Sequence, residues 1–120
     1  MHELSIAQNI VDIIGQYVPA EQSAGVRSVR VRVGPLAGIV PDSLDFCFDA
    51  IVTGTPLSRA RLDIEKTLVK ARCSGCGAGF EVEGTLFLCS RCGSADIEVV
   101  SGTELQVVEI EMADPQAELA

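Results

Sequence analysis

Residues 73–93 read CSGCGAGFEVEGTLFLCSRCG, so two C-x2-C pairs are separated by twelve residues. Each pair is followed by a glycine, Gly77 or Gly93. Glycine can adopt positive φ, which lets the backbone N–H groups of the turn face the thiolates. Because a C-x2-C turn points both sulfurs inward, two such turns supply the four ligands of a tetrahedral metal site. The segment therefore predicts one metal site formed by Cys73, Cys76, Cys89 and Cys92.

Zinc is the metal that this spacing favours. A four-thiolate site has no open coordination position, so we expect structural Zn(II) and not a catalytic ion. Iron bound as in rubredoxin meets the same tetrahedral preference and is the alternative. Two redox-active dithiols, or disulfides, explain the paired spacing and the glycines less well. The residues between the pairs can form a short hairpin, and metal binding would stabilise this small segment by on the order of 10 kcal/mol or more.

Two helices are predicted on the amino-terminal side of the cysteines. Ser5 and Gln8 match a capping box, so the first helix is expected to begin at Ser5, with residues 1–4 as a lead-in, and to end before Pro19. The second helix follows from the apolar spacing after Pro41. The apolar faces consist of Ile6, Ile10, Ile13, Ile14 and Tyr17 in the first helix, and of Leu44, Cys47, Phe48 and Ile51 in the second. The unpaired cysteine, Cys47, is thus interpreted as a small buried apolar residue.

Three strands are predicted from alternating apolar residues. In the first, Val29, Val31 and Val33 alternate with Ser28, Arg30 and Arg32, which is the period of a strand with one buried face. Residues 61–71, RLDIEKTLVKA, read as a second strand, and residues 103–112, TELQVVEIEM, as a third. In the third strand the alternation is assigned to Val108, Ile110 and Met112.

These elements predict an α+β fold, with a three-stranded sheet covered by two helices and a small zinc-ribbon-like unit inserted before the last strand. We expect residues 1–71 and 96–120 to form one domain and residues 72–95 to form the zinc-binding domain. The insert would hang on two connections, where a hinge is possible. Exposed strand edges in so small a sheet would permit homo-oligomers.

Composition excludes several classes of function. The chain has 120 residues, a formal net charge of −8, one tyrosine and no tryptophan, which argues against nucleic-acid binding. It contains neither a long apolar run nor a basic region followed by one, so we expect a cytoplasmic protein without a membrane span. We find no nucleophile–base pair and no phosphate-binding glycine loop, so an enzyme is not expected.

His2, the only histidine, directly follows Met1. The Met1 α-amine has an ordinary pKa of about 7.7–8.0, so part of it is neutral near pH 7. The α-amine, the His2 amide nitrogen and the imidazole can bind one ion through chelate rings of five and six members. A fourth donor could be the Glu3 amide nitrogen or a carboxylate of Glu3 or Asp42. Nitrogen-rich planar ligation suits Ni(II) or Cu(II); the alternative is that His2 is an exposed residue at a frayed chain end.

The sequence also resembles a known family. The stretches MHELSIAQNIV, VGPLAGIVPDSLDFCFDAIVTGTPL and ARLDIEKT, together with the two C-x2-C pairs, closely resemble the HypA/HybF family of hydrogenase maturation factors. The resemblance covers residues 1 to about 112. Met-His-Glu at the amino terminus combined with both cysteine pairs is its specific feature.

This resemblance implies a nickel metallochaperone with an α/β nickel-binding domain and a zinc domain. Such proteins deliver Ni(II) during assembly of [NiFe]-hydrogenase, working with the GTPase HypB and the hydrogenase large-subunit precursor, and in some organisms they also serve urease. The family pattern assigns nickel to Met1, His2 and Glu3, with an acidic residue matching Asp42 sometimes nearby. It assigns structural zinc to Cys73, Cys76, Cys89 and Cys92.

Two other interpretations stay open at the level of sequence. One is a zinc-ribbon module for protein interaction or regulation, in which His2 binds nothing. The other is a small rubredoxin-like electron carrier, which would contain iron and be coloured.

Overall fold

The computed structural model describes residues 3–84 and 86–113, which form two three-stranded sheets. In chain order the elements are α1 (Glu3–Tyr17), a 3-10 helix (Ala20–Gly25), β1 (Val26–Val33), α2 (Pro41–Val52), β2 (Arg61–Lys66), β3 (Lys70–Cys73), β4 (Gly79–Glu81), β5 (Ile97–Ser101) and β6 (Leu105–Met112). Within the described ranges, no helix is both long enough and apolar enough to cross a bilayer. Met1, His2, Thr85 and residues 114–120 lie outside those ranges.

The first sheet has the order β2-β1-β6 and carries both helices. β1 is parallel to β2, and the crossover that parallel pairing requires contains α2. β1 is antiparallel to β6. Val29, Val31 and Val33 of β1 are at most 3% exposed and belong to one core with the inward residues of α1 and α2. The predicted α+β fold, a helix-covered three-stranded sheet plus a separate cysteine unit, is therefore confirmed.

The other face of the first sheet is polar and exposed. Arg30 in the central strand lies 3.4 Å from a carboxylate oxygen of Asp63 on one side and 3.0 Å from one of Glu109 on the other. Arg32 lies 3.3 Å from a carboxylate oxygen of Glu65. Such exposed pairs contribute little stability each. They explain why arginines alternate with the buried valines of β1.

α1 begins at Glu3, so the predicted start at Ser5 is wrong. The carboxylate of Glu3 accepts a hydrogen bond from the backbone N–H of Val40 at 3.4 Å. This contact joins the first turn of α1 to the start of α2. The inward face is formed by Ala7, Ile10 and Ile14. Tyr17 is 75% exposed, against prediction, because buried Val18 takes the next inward place.

β6 contains a bulge that overturns the predicted alternation. Arg30 pairs with Glu109 and Val31 with Val107, which leaves Val108 without a partner. A bulge of one residue reverses the inward and outward positions on either side of it. Leu105, Val107 and Ile110 consequently pack against the core, whereas Val108 and Met112 are each 38% exposed.

The predicted second strand, residues 61–71, is two strands in different sheets. β2 ends at Lys66, and β3 begins at Lys70 as the centre of the second sheet, whose order is β4-β3-β5. Both neighbours of β3 run antiparallel to it. The hairpin expected between the cysteine pairs is wrong among the described residues, since β4 pairs with β3 instead. β5 was not predicted. Because β5 belongs to the second sheet, that sheet extends from Lys70 to Ser101, beyond residues 72–95 on both sides.

Candidate metal centres

The second sheet and its loops bring the four paired cysteines together. Their Sγ atoms all lie within 4.8 Å of one another, and the separations between Cys73 and Cys92 and between Cys76 and Cys89 are 3.6 Å each. Four sulfurs placed about 2.3 Å from one tetrahedral ion would be about 3.8 Å apart. The observed separations match that geometry and are far beyond the roughly 2.05 Å of a disulfide bond.

Two equivalent turns present these sulfurs. In the first, the N–H of Gly77 donates to the carbonyl of Cys73 at 2.9 Å, and in the second the N–H of Gly93 donates to the carbonyl of Cys89 at 2.9 Å. Both glycines have positive φ, 77° and 76°. A side chain at either position would strain the turn. The geometry thus agrees with the reason given for the glycine after each pair.

Backbone N–H groups face the buried sulfurs. Cys76 N–H donates to Cys73 Sγ, and the N–H groups of Arg91 and Cys92 donate to Cys89 Sγ, each at 3.4 Å. Hydrogen bonds to the charged form favour it. The Cys76 N–H, with lesser contributions from neighbouring groups, lowers the pKa of Cys73, and the N–H groups of Cys92 and Arg91 lower the pKa of Cys89 to about 6.

The neighbouring sulfurs oppose ionisation of Cys92. The N–H of Ser94 acts to lower its pKa, but hydrogen bonding with the sulfurs of Cys73 and Cys89 outweighs that effect and raises the pKa of Cys92 to about 12. Four adjacent thiols cannot all ionise without positive charge between them. A divalent ion supplies that charge and would displace the remaining protons. Because all four donors are thiolates, Zn(II) and tetrahedral iron fit the site, and hard cations do not.

The second sheet holds the loops of this cluster. Cys73 is the last residue of β3, and its turn is supported by the N–H of Ser74, which donates to the carbonyl of Asp96 just before β5. Cys89 N–H donates to the carbonyl of Ser94 at 2.8 Å. Cys73 and Cys89 are buried, whereas Cys76 and Cys92 are exposed, so the cluster lies at the edge of the unit. Cys47, which precedes the cluster in sequence, is half-buried on α2 beside the hydrophobic core.

The amino-terminal candidate site is described only in part. Met1 and His2 lie outside the described residues. Glu3 lies in the first turn of α1, and its contact with Val40 places it beside the start of α2. Asp42 is an exposed residue in the first turn of α2. Glu3 and Asp42, both named as possible nickel ligands, therefore lie in the first turns of two helices whose starts are adjacent.

The four cysteines are the only group of three or more metal-binding side chains found among residues 3–84 and 86–113. The acidic residues of α2 form no such group, but they do affect one another. Asp45 is exposed, but partial desolvation, followed by repulsion from Asp49 and Asp42, raises its pKa.

One polar contact of the fold was not predicted from the sequence. Glu104 Oε1 accepts hydrogen bonds from Thr67 Oγ1 at 2.8 Å and from the N–H of Gly102 at 3.0 Å. The hydroxyl of Thr67 is the main cause that lowers the pKa of Glu104. Because Thr67 and Glu104 are 37 residues apart in sequence, only the folded chain reveals the contact.

A helix-covered sheet joined to a second sheet with a closed four-thiolate cluster defines a small α+β metal-binding protein. Comparison with known families is more specific. The family model described as "Hydrogenase/urease nickel incorporation, metallochaperone, hypA" matches residues 1–112, and the chain belongs to this HypA family. The resemblance noted from the sequence is thereby confirmed.

Individual relatives agree with the family model. A hydrogenase maturation factor HypA of Desulfosudis oleivorans is 41% identical over 115 residues, covering 95% of this chain and 100% of the relative. One of Streptomyces avermitilis is 44% identical, covering 95% of this chain and 88% of the relative. The solution structure of the Ni metallochaperone HypA from Helicobacter pylori has a similar fold, with a TM-score of 0.63 and 21% identity over 94% of this chain and 98% of that one.

Proposed function

We propose that this protein is a nickel metallochaperone that binds Ni(II) at its amino terminus and delivers it during maturation of [NiFe]-hydrogenase. The observation that carries this proposal is the family match over residues 1–112, which begins at Met1 and so includes the Met-His-Glu terminus. The Met1 α-amine, the His2 amide nitrogen and the His2 imidazole are the proposed donors. They suit Ni(II) and bind Cu(II) at least as tightly, so metal supply and partner contacts would set selectivity.

The position of Glu3 supports a releasable site. Glu3, which follows the proposed donors in the sequence, lies in the first turn of α1, and the start of a helix carries the positive end of its dipole. A cation there is mildly disfavoured, which lowers the affinity. All three proposed donors belong to the first two residues, so the ion can leave without any opening of the hydrophobic core. Modest affinity is what a carrier requires.

The four cysteines have a structural role in this proposal. Zn(II) bound by Cys73, Cys76, Cys89 and Cys92 would hold the second sheet together, because that sheet buries few large side chains of its own. The site is closed, so it supplies no position for a substrate. The protein is accordingly a carrier and not an enzyme.

We further propose that the protein works in the cytoplasm with the GTPase HypB and the hydrogenase large-subunit precursor. Urease maturation, named in the description of the family, is a second candidate recipient. The outer strands β2 and β6 leave edges of the first sheet unpaired within the described chain, which would permit homo-oligomers.

Nickel titration of untagged protein tests the amino-terminal site. We expect about one Ni(II) per chain, lost on His2→Ala and equally lost when a few residues precede Met1, because the α-amine then becomes an amide. The matched control is Cys47→Ser, which should bind nickel normally. Equal nickel binding by the extended and native chains would refute the α-amine as a ligand.

Metal analysis and complementation separate the other interpretations. One zinc per chain in a colourless protein supports the structural site, whereas bound iron with visible absorption would support an electron carrier. In a strain lacking the gene, His2→Ala should fail to restore hydrogenase activity unless nickel is added. Full restoration by His2→Ala without added nickel would favour a zinc-ribbon interaction module instead.

A further inference from the structure

The chain crosses between the two sheets twice, and the crossings lie side by side. Residues 67–69 lead from β2 to β3, and residues 102–104 lead from β5 to β6. Ser101 Oγ donates to the carbonyl of Leu68 at 3.1 Å. Glu104 Oε1 joins the crossings by accepting hydrogen bonds from the Thr67 hydroxyl at 2.8 Å and from the N–H of Gly102 at 3.0 Å.

A third segment is bound to the same place. The N–H of Gly34, just after β1, donates to the backbone carbonyl of Glu104 at 2.8 Å, and the N–H of Leu36 donates to the carbonyl of Gly102 at 2.7 Å. A Cβ at Gly34 would lie 2.1 Å from that Gly102 oxygen, which no real side chain allows. The loop that follows β1 is therefore in direct backbone contact with the second crossing.

Close packing completes the junction. Gly102 is buried at a φ of 123°, and a Cβ there would lie 3.0 Å from Cγ2 of Val69. Val69, in the first crossing, is itself only 7% exposed. The sequence left a hinge possible between the two units. The structure has a packed and hydrogen-bonded junction at that position.

We propose that Glu104 is a positioning residue whose carboxylate holds the four-cysteine sheet in one orientation relative to the first sheet. Glu104 is suited to this role because its side-chain oxygen meets both crossings while its backbone carbonyl meets the loop after β1. A charged acceptor forms stronger hydrogen bonds than a neutral one. This role does not depend on nickel binding. With the orientation fixed, a partner could contact the first sheet and the four-cysteine sheet at the same time.

The test uses Co(II) in the four-cysteine site of the full chain as a paramagnetic probe. Pseudocontact shifts at the amides of β1 report the orientation of the cobalt site relative to the first sheet. In the wild-type protein we expect shifts that fit a single orientation. Glu104→Ala should make them collapse through averaging, and Glu104→Gln, whose neutral amide oxygen still accepts both hydrogen bonds but more weakly, should restore most of them.

Two further variants guard against a general loss of folding. Thr67→Val keeps the side-chain shape without the donor and should reproduce the averaging in a folded protein. Glu111→Ala removes an exposed carboxylate of β6, the strand that follows Glu104, and should retain the wild-type shifts. The proposal is overturned if Glu104→Ala and Thr67→Val both retain the wild-type shifts, or if the wild-type shifts themselves are already averaged.

Discussion

The carboxylate of Glu3, in the first turn of α1, accepts a hydrogen bond from the backbone N–H of Val40 at the start of α2, with a separation of 3.4 Å. The backbone N–H of Val40 precedes the first helical residue, where intrahelical partners are lacking. Glu3 thus supports the second helix with its side chain. This contact uses one carboxylate oxygen, Oε2, and the backbone nitrogen of Glu3, next to His2 in the chain, is a candidate donor in the proposed nickel site.

This contact makes a prediction about the fourth nickel donor. Glu3→Gln keeps an oxygen that can accept from Val40 and leaves the backbone nitrogen unchanged. We expect it to bind one Ni(II) per untagged chain with a planar spectrum like that of the wild type. Loss of nickel in Glu3→Gln, with unchanged circular dichroism, would show that the carboxylate itself is the ligand.

Removing one paired cysteine should release zinc and loosen only the second sheet. In Cys89→Ser the buried sulfur that accepts two backbone hydrogen bonds is lost, and a three-thiolate site binds zinc far more weakly. A four-thiolate site contributes on the order of 10 kcal/mol to a small unit, so residues 70–101 should become sensitive to protease. Zinc content and limited proteolysis measure this outcome.

Cys47→Ser is the matched control for that experiment. Cys47 packs beside the hydrophobic core under the first sheet and takes no part in the cluster. The Cys47→Ser variant should therefore retain one zinc and a protease-resistant second sheet. Retention of zinc by Cys89→Ser would contradict the ligand assignment.

Two phenylalanines of α2 should respond in opposite ways to truncation. Phe48 is 0% exposed at the centre of the first core, so Phe48→Ala should lower the free energy of unfolding by about 3–5 kcal/mol. Phe46 is 73% exposed on the other side of the helix, and Phe46→Ala should change it by no more than about 0.5 kcal/mol. Chemical denaturation of the zinc-loaded protein measures both. Similar losses for the two variants would mean that α2 is rotated from the orientation described.

Asp45→Asn should stabilise the protein at neutral pH. Asp45 is exposed, but partial desolvation, followed by repulsion from Asp49 and Asp42, raises its pKa above the ordinary value of 3.8. Below 3.8 the carboxyl is protonated in both states and contributes nothing, but above it the unfolded state ionises more readily, so the native state loses stability as the pH rises. The gain from Asn is thus fully present at pH 7 and absent near pH 3.

Thermal unfolding of the variant beside the wild type at both pH values measures this difference. Asp49→Asn removes one source of repulsion but leaves the partial desolvation of Asp45 and the repulsion from Asp42, so it should give a smaller gain at pH 7. A lower melting temperature for Asp45→Asn than for the wild type at pH 7 would contradict the stated cause of the shift.

Local patterns predicted the elements whose side chains repeat with a clear period. The alternating valines of β1 and the apolar face of α2 around Leu44 and Phe48 follow directly from sequence. The clustering of the cysteines also follows from spacing, because each C-x2-C turn with its glycine forms from neighbouring residues. The start of α1 at Glu3 was missed because the capping-box match at Ser5 and Gln8 favoured a later start.

The sequence by itself determined the helices, the central strand and the two cysteine turns, since each is built from residues close together in the chain; the paired spacing also predicted that the two turns share one site. Only the tertiary structure decided how the strands divide between two sheets and where β6 carries its bulge at Val108. It also decided that Glu104, Thr67 and Gly102 meet at the junction. Strand pairing, bulges and such contacts depend on partners distant in the chain, and no local periodicity encodes which partners will meet.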